Sequence, residues 1–276
     1  MNEYAIQADS VSKKFDRTVI LDDLSFKIQK NSKLAIIGHN GSGKSSLLKL
    51  IAGLYMPTSG SIQTFHQKMA YVPEHFPENI RFTLEEYLVL IGKIGGEELG
   101  AIKKKIAYYS DVFQLGPHLK SLLKHCSKGV KQKAGLTQAL MTESDLLLLD
   151  EPLTGLDDES KTNFLQMMQK RDRDFTLAFT AHEQETVDLW ANEQLVLKNG
   201  KMIKHESLTA QTAFRSIIAK IPARLNREDL KVFGCISADQ GHIVEITVRS
   251  SESDECLAYL LGQQASILEV KEKKES

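Results

Sequence analysis

The sequence is poor in the residues that staple or stiffen a small secreted chain: of 276 residues, three are cysteine, six proline and one tryptophan. Cys126, Cys235 and Cys256 are odd in number, far apart and without metal-ligand spacing, which argues against a disulfide framework and a cysteine-based zinc site. They read as free thiols of a reducing cytosol. An excess of one charge is also lacking. With 35 Lys and Arg against 36 Asp and Glu, the formal net charge is -1, and nothing points to nucleic acid as a partner. Long apolar runs are missing as well, since stretches such as Tyr87–Ile91 and Leu146–Leu149 fall far short of the roughly 20 residues that span a bilayer. Asp9, Lys13, Lys14 and Asp16 interrupt any leader-like apolar core. No internal repeat or low-complexity segment occurs. The expectation is a chain that reaches a membrane only through a partner. What is present, 42% hydrophobic residues, supports one large domain with a small appendage.

One segment carries chemistry at first sight. Gly38-His39-Asn40-Gly41-Ser42-Gly43-Lys44-Ser45 follows the apolar Leu34–Ile37 and precedes Ser46-Leu47-Leu48-Lys49-Leu50-Ile51. Glycines at both ends and in the middle let the backbone turn with its N–H groups inward, so that they and the following helix N-terminus hold phosphate oxygens. Lys44 adds a point charge near the β- and γ-phosphates, and Ser45 offers a hydroxyl to Mg2+. This is a P-loop in the strand-loop-helix context that it requires.

The rest of the chain alternates short strands and helices. Ile6–Val11, Val19–Leu21 and Leu24–Ile28 read as β-runs separated by turns. From about 77 to 140 the character is helical, with apolar positions Leu84, Tyr87, Leu88 and Ile91 and again Ile102, Ile106 and Tyr109 at helical spacing. Leu146–Leu149 has the pattern of a parallel strand buried on both faces. Asp157–Arg171 and Glu183–Ala191 read as helices around a strand at Thr176–Thr180, which together indicate an α/β domain with a mostly parallel sheet. After a turn at Asn199-Gly200 the pattern loosens. Residues 206–222 look helical, followed by strand, turn at Asp239-Gln240-Gly241, strand, helix and strand. The expected division is 1–205 and 206–276, with a disordered mixed-charge tail from Lys271 to Ser276.

Asp150 and Glu151 close the apolar run Leu146–Leu149, and so stand at the C-terminal tip of a buried strand, where open α/β sheets bind ligands. There Asp150 can orient a Mg2+ shell and Glu151 can polarise water for attack on a γ-phosphate. His182, after the strand Leu177–Thr180, would alone read as an ordinary packed histidine.

The order of these motifs resembles the nucleotide-binding subunit of an ATP-binding cassette (ABC) transporter over residues ~4 to ~205. The resemblance implies a RecA-like P-loop NTPase core with an N-terminal antiparallel β subdomain and a helical insert, plus a small α+β C-terminal unit. It makes Phe15 the aromatic on adenine, Tyr71-Val72-Pro73-Glu74 the Q-loop, Cys126–Gln132 the signature, Leu153–Asp157 the D-loop and His182 the switch histidine. The P-loop residues Gly38 to Ser45 and Ser46 would then bind ATP, with Ser127, Lys128, Gly129 and Asp157 reaching the nucleotide of a second subunit. Ser45, Asp150 and Glu74 would face Mg2+, and Glu151, His182 and Glu74 would act in hydrolysis.

Departures from the common pattern are Glu74 in place of glutamine, Lys128 and Val130 in place of glycine and glutamine, and Cys126 in place of leucine. Glu74 and the Ser-Lys-Gly signature are similar to the ABC-2-type subfamily, which implies export. The implied mechanism is a head-to-tail dimer that closes on ATP and drives a permease, with the chain peripheral on the inner face of the membrane. Phe76, Pro77, Ile80, Phe82 and Tyr87 are candidates for the permease contact, or else the insert's own core. Rival readings are a soluble ABC ATPase acting on nucleic acid or ribosomes, an importer subunit, and a non-hydrolysing regulatory subunit. The near-neutral charge and single cassette oppose the first, and the retained Glu151 opposes the last.

Overall fold

The computed structural model describes residues 3–169, 174–181, 184–208, 214–222, 225–249 and 253–273. The chain divides into two units, Met1–Glu206 and Ser207–Ser276. The first contains, in order, β1 (Tyr4–Phe15), β2 (Thr18–Gln29), β3 (Lys33–Ile37), α1 (Lys44–Ile51), β4 (Ser59–Thr64), β5 (Met69–Val72), α2 (Leu84–Ile94) and α3 (Leu99–Phe113). It continues with α4 (Lys128–Met141), β6 (Leu146–Leu149), α5 (Asp158–Gln169), β7 (Thr176–Ala181), α6 (Gln184–Trp190), β8 (Glu193–Lys198) and β9 (Lys201–Ser207).

Leucine fills every position of β6, and this strand is buried on both faces. That burial demands a partner strand on each side, and β6 pairs in parallel with β5 and β7. β3 in turn pairs in parallel with β7 and β8, which gives a six-stranded sheet in the order β5-β6-β7-β3-β8-β9. The tips of β3, β6 and β7 therefore lie side by side, and the loops that leave them converge. A separate antiparallel sheet, β2-β1-β4, packs its apolar residues with α1 and the parallel sheet in one core that includes Ile6, Leu24, Ile28, Leu47, Leu148 and Leu195.

The short β-runs expected near the N-terminus merge into two twelve-residue strands. Ser10 (φ 46°) and Asp23 (φ 53°) adopt left-handed backbone, and the ladder continues past the resulting register shifts, so polar residues that read as breaks are bulges. α2 opens with a capping box. Thr83 Oγ1 accepts from the Glu86 amide, and the Glu86 carboxylate accepts from the Thr83 amide, which satisfies two amides at the helix start.

The second unit contains β10 (Phe214–Lys220), α7 (Arg227–Lys231), β11 (Gly234–Asp239), β12 (Ile243–Arg249), α8 (Ser253–Gly262) and β13 (Ser266–Lys273). Two expectations fail here. Residues 214–220 are a strand, although Phe214, Ile217, Ile218 and Ile221 have helical i, i+3, i+4, i+7 spacing. β10 is the inner strand between β12 and β13, and two ladders outweigh a local periodicity. The tail expected to be disordered also contributes: Lys271, Glu272 and Lys273 pair with Ser216, Arg215 and Phe214. The order β11-β12-β10-β13, all antiparallel, is the split βαβ arrangement of ferredoxin-like units. Its core holds Ile217, Val244, Ile246, Val248, Cys256 and Leu260.

Candidate functional site

Residues 38–43 connect the tip of β3 to α1. Gly43, at φ 105°, caps α1 in a backbone conformation that favours glycine, and an added Cβ would lie 3.0 Å from Ile20 O. Lys44 is the first residue of α1 and is nearly buried. Its Nζ donates to Gly38 O at 2.8 Å and to His39 O at 3.3 Å, which bends the side chain back over the loop. Burial lowers the Lys44 pKa, while the carboxylates of Glu151, Asp150 and Glu74 act in the opposite sense. Those three acids thus bear on the ammonium from the facing strands.

The loop opens into a cavity of about 510 Å³ lined by Ile20, Asn40, Gly41, Gly43, Lys44, Ser45, Ser46, Glu74 and Glu151. Asp150 is buried behind it and accepts from Ser45 Oγ at 3.1 Å. Other residues expected at the nucleotide stand outside this lining. Ser42 is fully buried, and Gly38 packs on it and on Leu197 O. The ring of His39 is hydrogen-bonded to Asn40 O at 2.8 Å and to Asn199 Oδ1 at 3.1 Å. Phe15 is 42% exposed, edge-on to Tyr55 at 5.2 Å with Lys13 Nζ 4.8 Å from its ring. His182 lies outside the described residues.

Ser127 caps α4, its Oγ accepting from the Val130 amide at 3.3 Å. Ser127 and Lys128 are exposed. Gly129 comes so close to the Leu153–Asp157 segment that a Cβ on it would sit 2.6 Å from Gly155 O. Asp157 is engaged within its own chain at both carboxylate oxygens, by Lys133 Nζ at 2.5 Å and by the Ser160 amide at 2.9 Å. The Lys133 bond, with that amide, holds its carboxyl well below the usual range. Two of the four departures, Glu74 and Lys128, line one further cavity of about 260 Å³ together with His75, Glu78 and Lys131.

The candidates for a permease contact separate into two groups. Phe76 is buried edge-on to Tyr87 at 5.5 Å, and the Tyr87 hydroxyl donates to Gln138 Oε1, so these two belong to the interior. Pro77 and Phe82 are exposed and Ile80 is half-buried.

Residues 21–154 match the ABC transporter family. The zinc import ATP-binding protein ZnuC of Rickettsia bellii is 32% identical to this chain over 205 residues, 72% of this chain and 85% of that protein. The chain belongs to the ABC transporter ATP-binding family. The linearmycin resistance ATP-binding protein LnrL of Bacillus subtilis is 28% identical over 210 residues, covering 72% of this chain and 68% of its own length. A solved ATP-binding subunit of an ABC transporter superposes with a TM-score of 0.68 at 27% identity, over 74% of this chain and 90% of that one.

In this ABC ATP-binding chain several further side chains and turns support the acidic pair and the loop. Thr180 Oγ1 bridges Asp150 and Glu151. Gln132 Nε2 donates to Glu151 O at 3.4 Å, and Lys133 reaches Asp157. The turn between β8 and β9 braces the loop from behind, with Gly200 N donating to Ser42 O at 3.2 Å. Tyr71 is a half-buried phenol beside Asp150, and burial first, then that carboxylate, pushes its pKa up. The one sequence signal for Thr180 is a hydroxyl inside an otherwise apolar strand end, Leu177-Ala178-Phe179.

Proposed function

We propose that this chain is the ATP-hydrolysing subunit of a membrane transporter. The observation that carries the reading is the single cavity shared by Lys44, Ser45, Glu74 and Glu151, with Asp150 hydrogen-bonded behind Ser45. Its donors suit a nucleoside triphosphate with Mg2+. The ammonium and the first amides of α1 complement phosphate oxygens, and hydroxyl and carboxylate oxygens suit a hard cation. Among the described residues no three His, Cys, Asp or Glu side chains are grouped to hold a metal alone. Ser45, Asp150 and Glu74 would hold Mg2+ jointly with the phosphates, and the ion when bound offsets phosphate charge.

Glu151 is the general base in this reading, positioned to accept a proton from water at the mouth of the cavity. Glu74 places a carboxylate where the family's usual residue is an amide, so it adds negative charge on the metal side. The roles of His182 at the γ-phosphate, and of Phe15 at adenine, are carried from the family resemblance. Ser127, Lys128 and Gly129 of a second subunit would close each site in a head-to-tail dimer. A permease would anchor the pair at the cytoplasmic face of the membrane, and among the described residues no helix is long and apolar enough to cross it. Export is the direction favoured by Glu74 and the Ser127-Lys128-Gly129 signature.

The test is ATP turnover and binding by the purified chain. Lys44→Ala should weaken ATP binding by about tenfold or more and abolish turnover, because it removes a charge-assisted contact to phosphate. Glu151→Gln should keep binding, stop hydrolysis and accumulate an ATP-dependent dimer on size exclusion. Normal turnover in either variant would sink the assignment. Transport itself is tested by co-purification with a membrane protein.

A further inference from the structure

Thr180 stands near the C-terminal end of β7, 1% exposed, in a strand buried along its whole length. The parallel register places Leu149 opposite Phe179, so the next residues, Asp150 and Thr180, lie side by side at the strand tips. The hydroxyl has two partners, and their chemistry fixes where its hydrogen points. The Glu151 amide can only donate, and it donates to Thr180 Oγ1 at 2.7 Å. With the amide occupying a lone pair, the hydroxyl donates its own hydrogen to Asp150 Oδ1 at 2.8 Å. That same oxygen accepts from Ser45 Oγ at 3.1 Å. A directed chain results: Glu151 amide to Thr180, Thr180 to Asp150, and Ser45 to Asp150.

Both ends of this chain matter to the site. Glu151 has φ 49°, a left-handed conformation that side-chain-bearing residues rarely adopt, immediately after the end of β6. The Thr180 hydroxyl is the acceptor for the amide of that unusual residue. At the other end, the hydrogen of Ser45 is committed to Asp150, which leaves the lone pairs of Ser45 Oγ for the cavity. Valine would match Thr180 in shape among Leu177, Ala178 and Phe179, but it offers neither an acceptor nor a donor.

We propose that Thr180 is a positioning residue whose hydroxyl sets the backbone of the base Glu151 and orients Asp150 toward Ser45. The inference rests on the roles given above to Glu151 and Ser45. It links the strand of the water-activating residue to the strand that leads toward the switch histidine.

Full-length Thr180→Val, Thr180→Ser and Glu151→Gln should be compared with the parent chain. Thr180→Val is expected to lower kcat at least about tenfold while the KM for ATP changes less than about threefold. Thr180→Ser, which keeps the hydroxyl, should recover turnover to within about threefold. A readout independent of turnover is Mn2+ binding by electron paramagnetic resonance in the presence of a non-hydrolysable ATP analogue. Thr180→Val should weaken Mn2+ at least about threefold while binding of the metal-free analogue is unchanged. Parent-like kcat and Mn2+ affinity in Thr180→Val, with Glu151→Gln inactive, would overturn this proposal alone. So would equal losses of activity and melting temperature in the valine and serine variants. Normal hydrolysis by Glu151→Gln would instead overturn the assignment of the base.

Discussion

Two glycines allow the contact between α4 and the Leu153–Asp157 segment to be weighed against helix propensity. Gly100 and Gly129 both occupy the second position of a helix, α3 and α4 respectively, so alanine alters propensity alike at each. That change alone favours the helix by about 0.5–1 kcal/mol. Around Gly100 nothing lies within 4 Å of the added Cβ, whereas at Gly129 it would fall 2.6 Å from Gly155 O. Two backbones meet there, so the clash is not relieved by turning a side chain. Forcing such a contact apart costs about 1–3 kcal/mol. The difference between Gly129→Ala and Gly100→Ala should therefore be about 2 kcal/mol, or about 6 °C in melting temperature for a unit of this size. Calorimetric melts of both full-length variants measure it. Because α4 carries the signature and Leu153–Asp157 follows Glu151, Gly129→Ala should also lower ATP turnover, and Gly100→Ala should leave it alone. Equal melting points for the two variants would refute the close approach.

Other outcomes follow from burial and charge. Cys256 is fully buried and burial pushes its pKa up to about 11, while Cys235 is exposed; iodoacetamide at pH 8 should alkylate Cys235 and spare Cys256 until denaturant is added, as read by mass spectrometry. Asp157 is held below its ordinary value of 3.8, so its stabilising contribution is present above that pH and is lost as pH falls below it. Asp157→Asn should accordingly be less stable than the parent near pH 7, by about 0.5–1 kcal/mol because the Asp157 side chain is half-exposed, and the gap in urea midpoint should shrink below about pH 4. A chain ending at Ser207 keeps β9 whole and should fold and bind an ATP analogue; failure to do so would show that the second unit is part of the catalytic core.

The residues legible in the sequence are those whose role depends on their immediate neighbours. Lys44 and Ser45 are set by the loop and helix that contain them, and Asp150 and Glu151 by the leucine run before them. Thr180, Asn199 and Lys133 were not legible, because each acts through a residue brought close only by the folded sheet. The in-chain partners of Asp157 were equally hidden: Lys133 and the Ser160 amide engage its two carboxylate oxygens, which its place in the motif does not announce. The α/β architecture followed from the alternation of buried strands and amphipathic helices. β10 did not, since its apolar spacing suits a helix and only its two neighbours decide otherwise.

The position of β10 also governs when the second unit can form. As an inner strand it needs both β12 and β13, and Phe214 at its start pairs with Lys273 at the end of β13. Contacts of that sequence separation close slowly, because the loop entropy is lost before the ladder forms. During synthesis the first unit has all its strands before Phe214 emerges, so it can reach its compact state early. The second cannot complete its sheet until β13 has left the ribosome. Until then β10 offers an unpaired edge, and a chaperone bound to nascent chains would be expected to protect residues 214–220 more than any part of β3, β6 or β7.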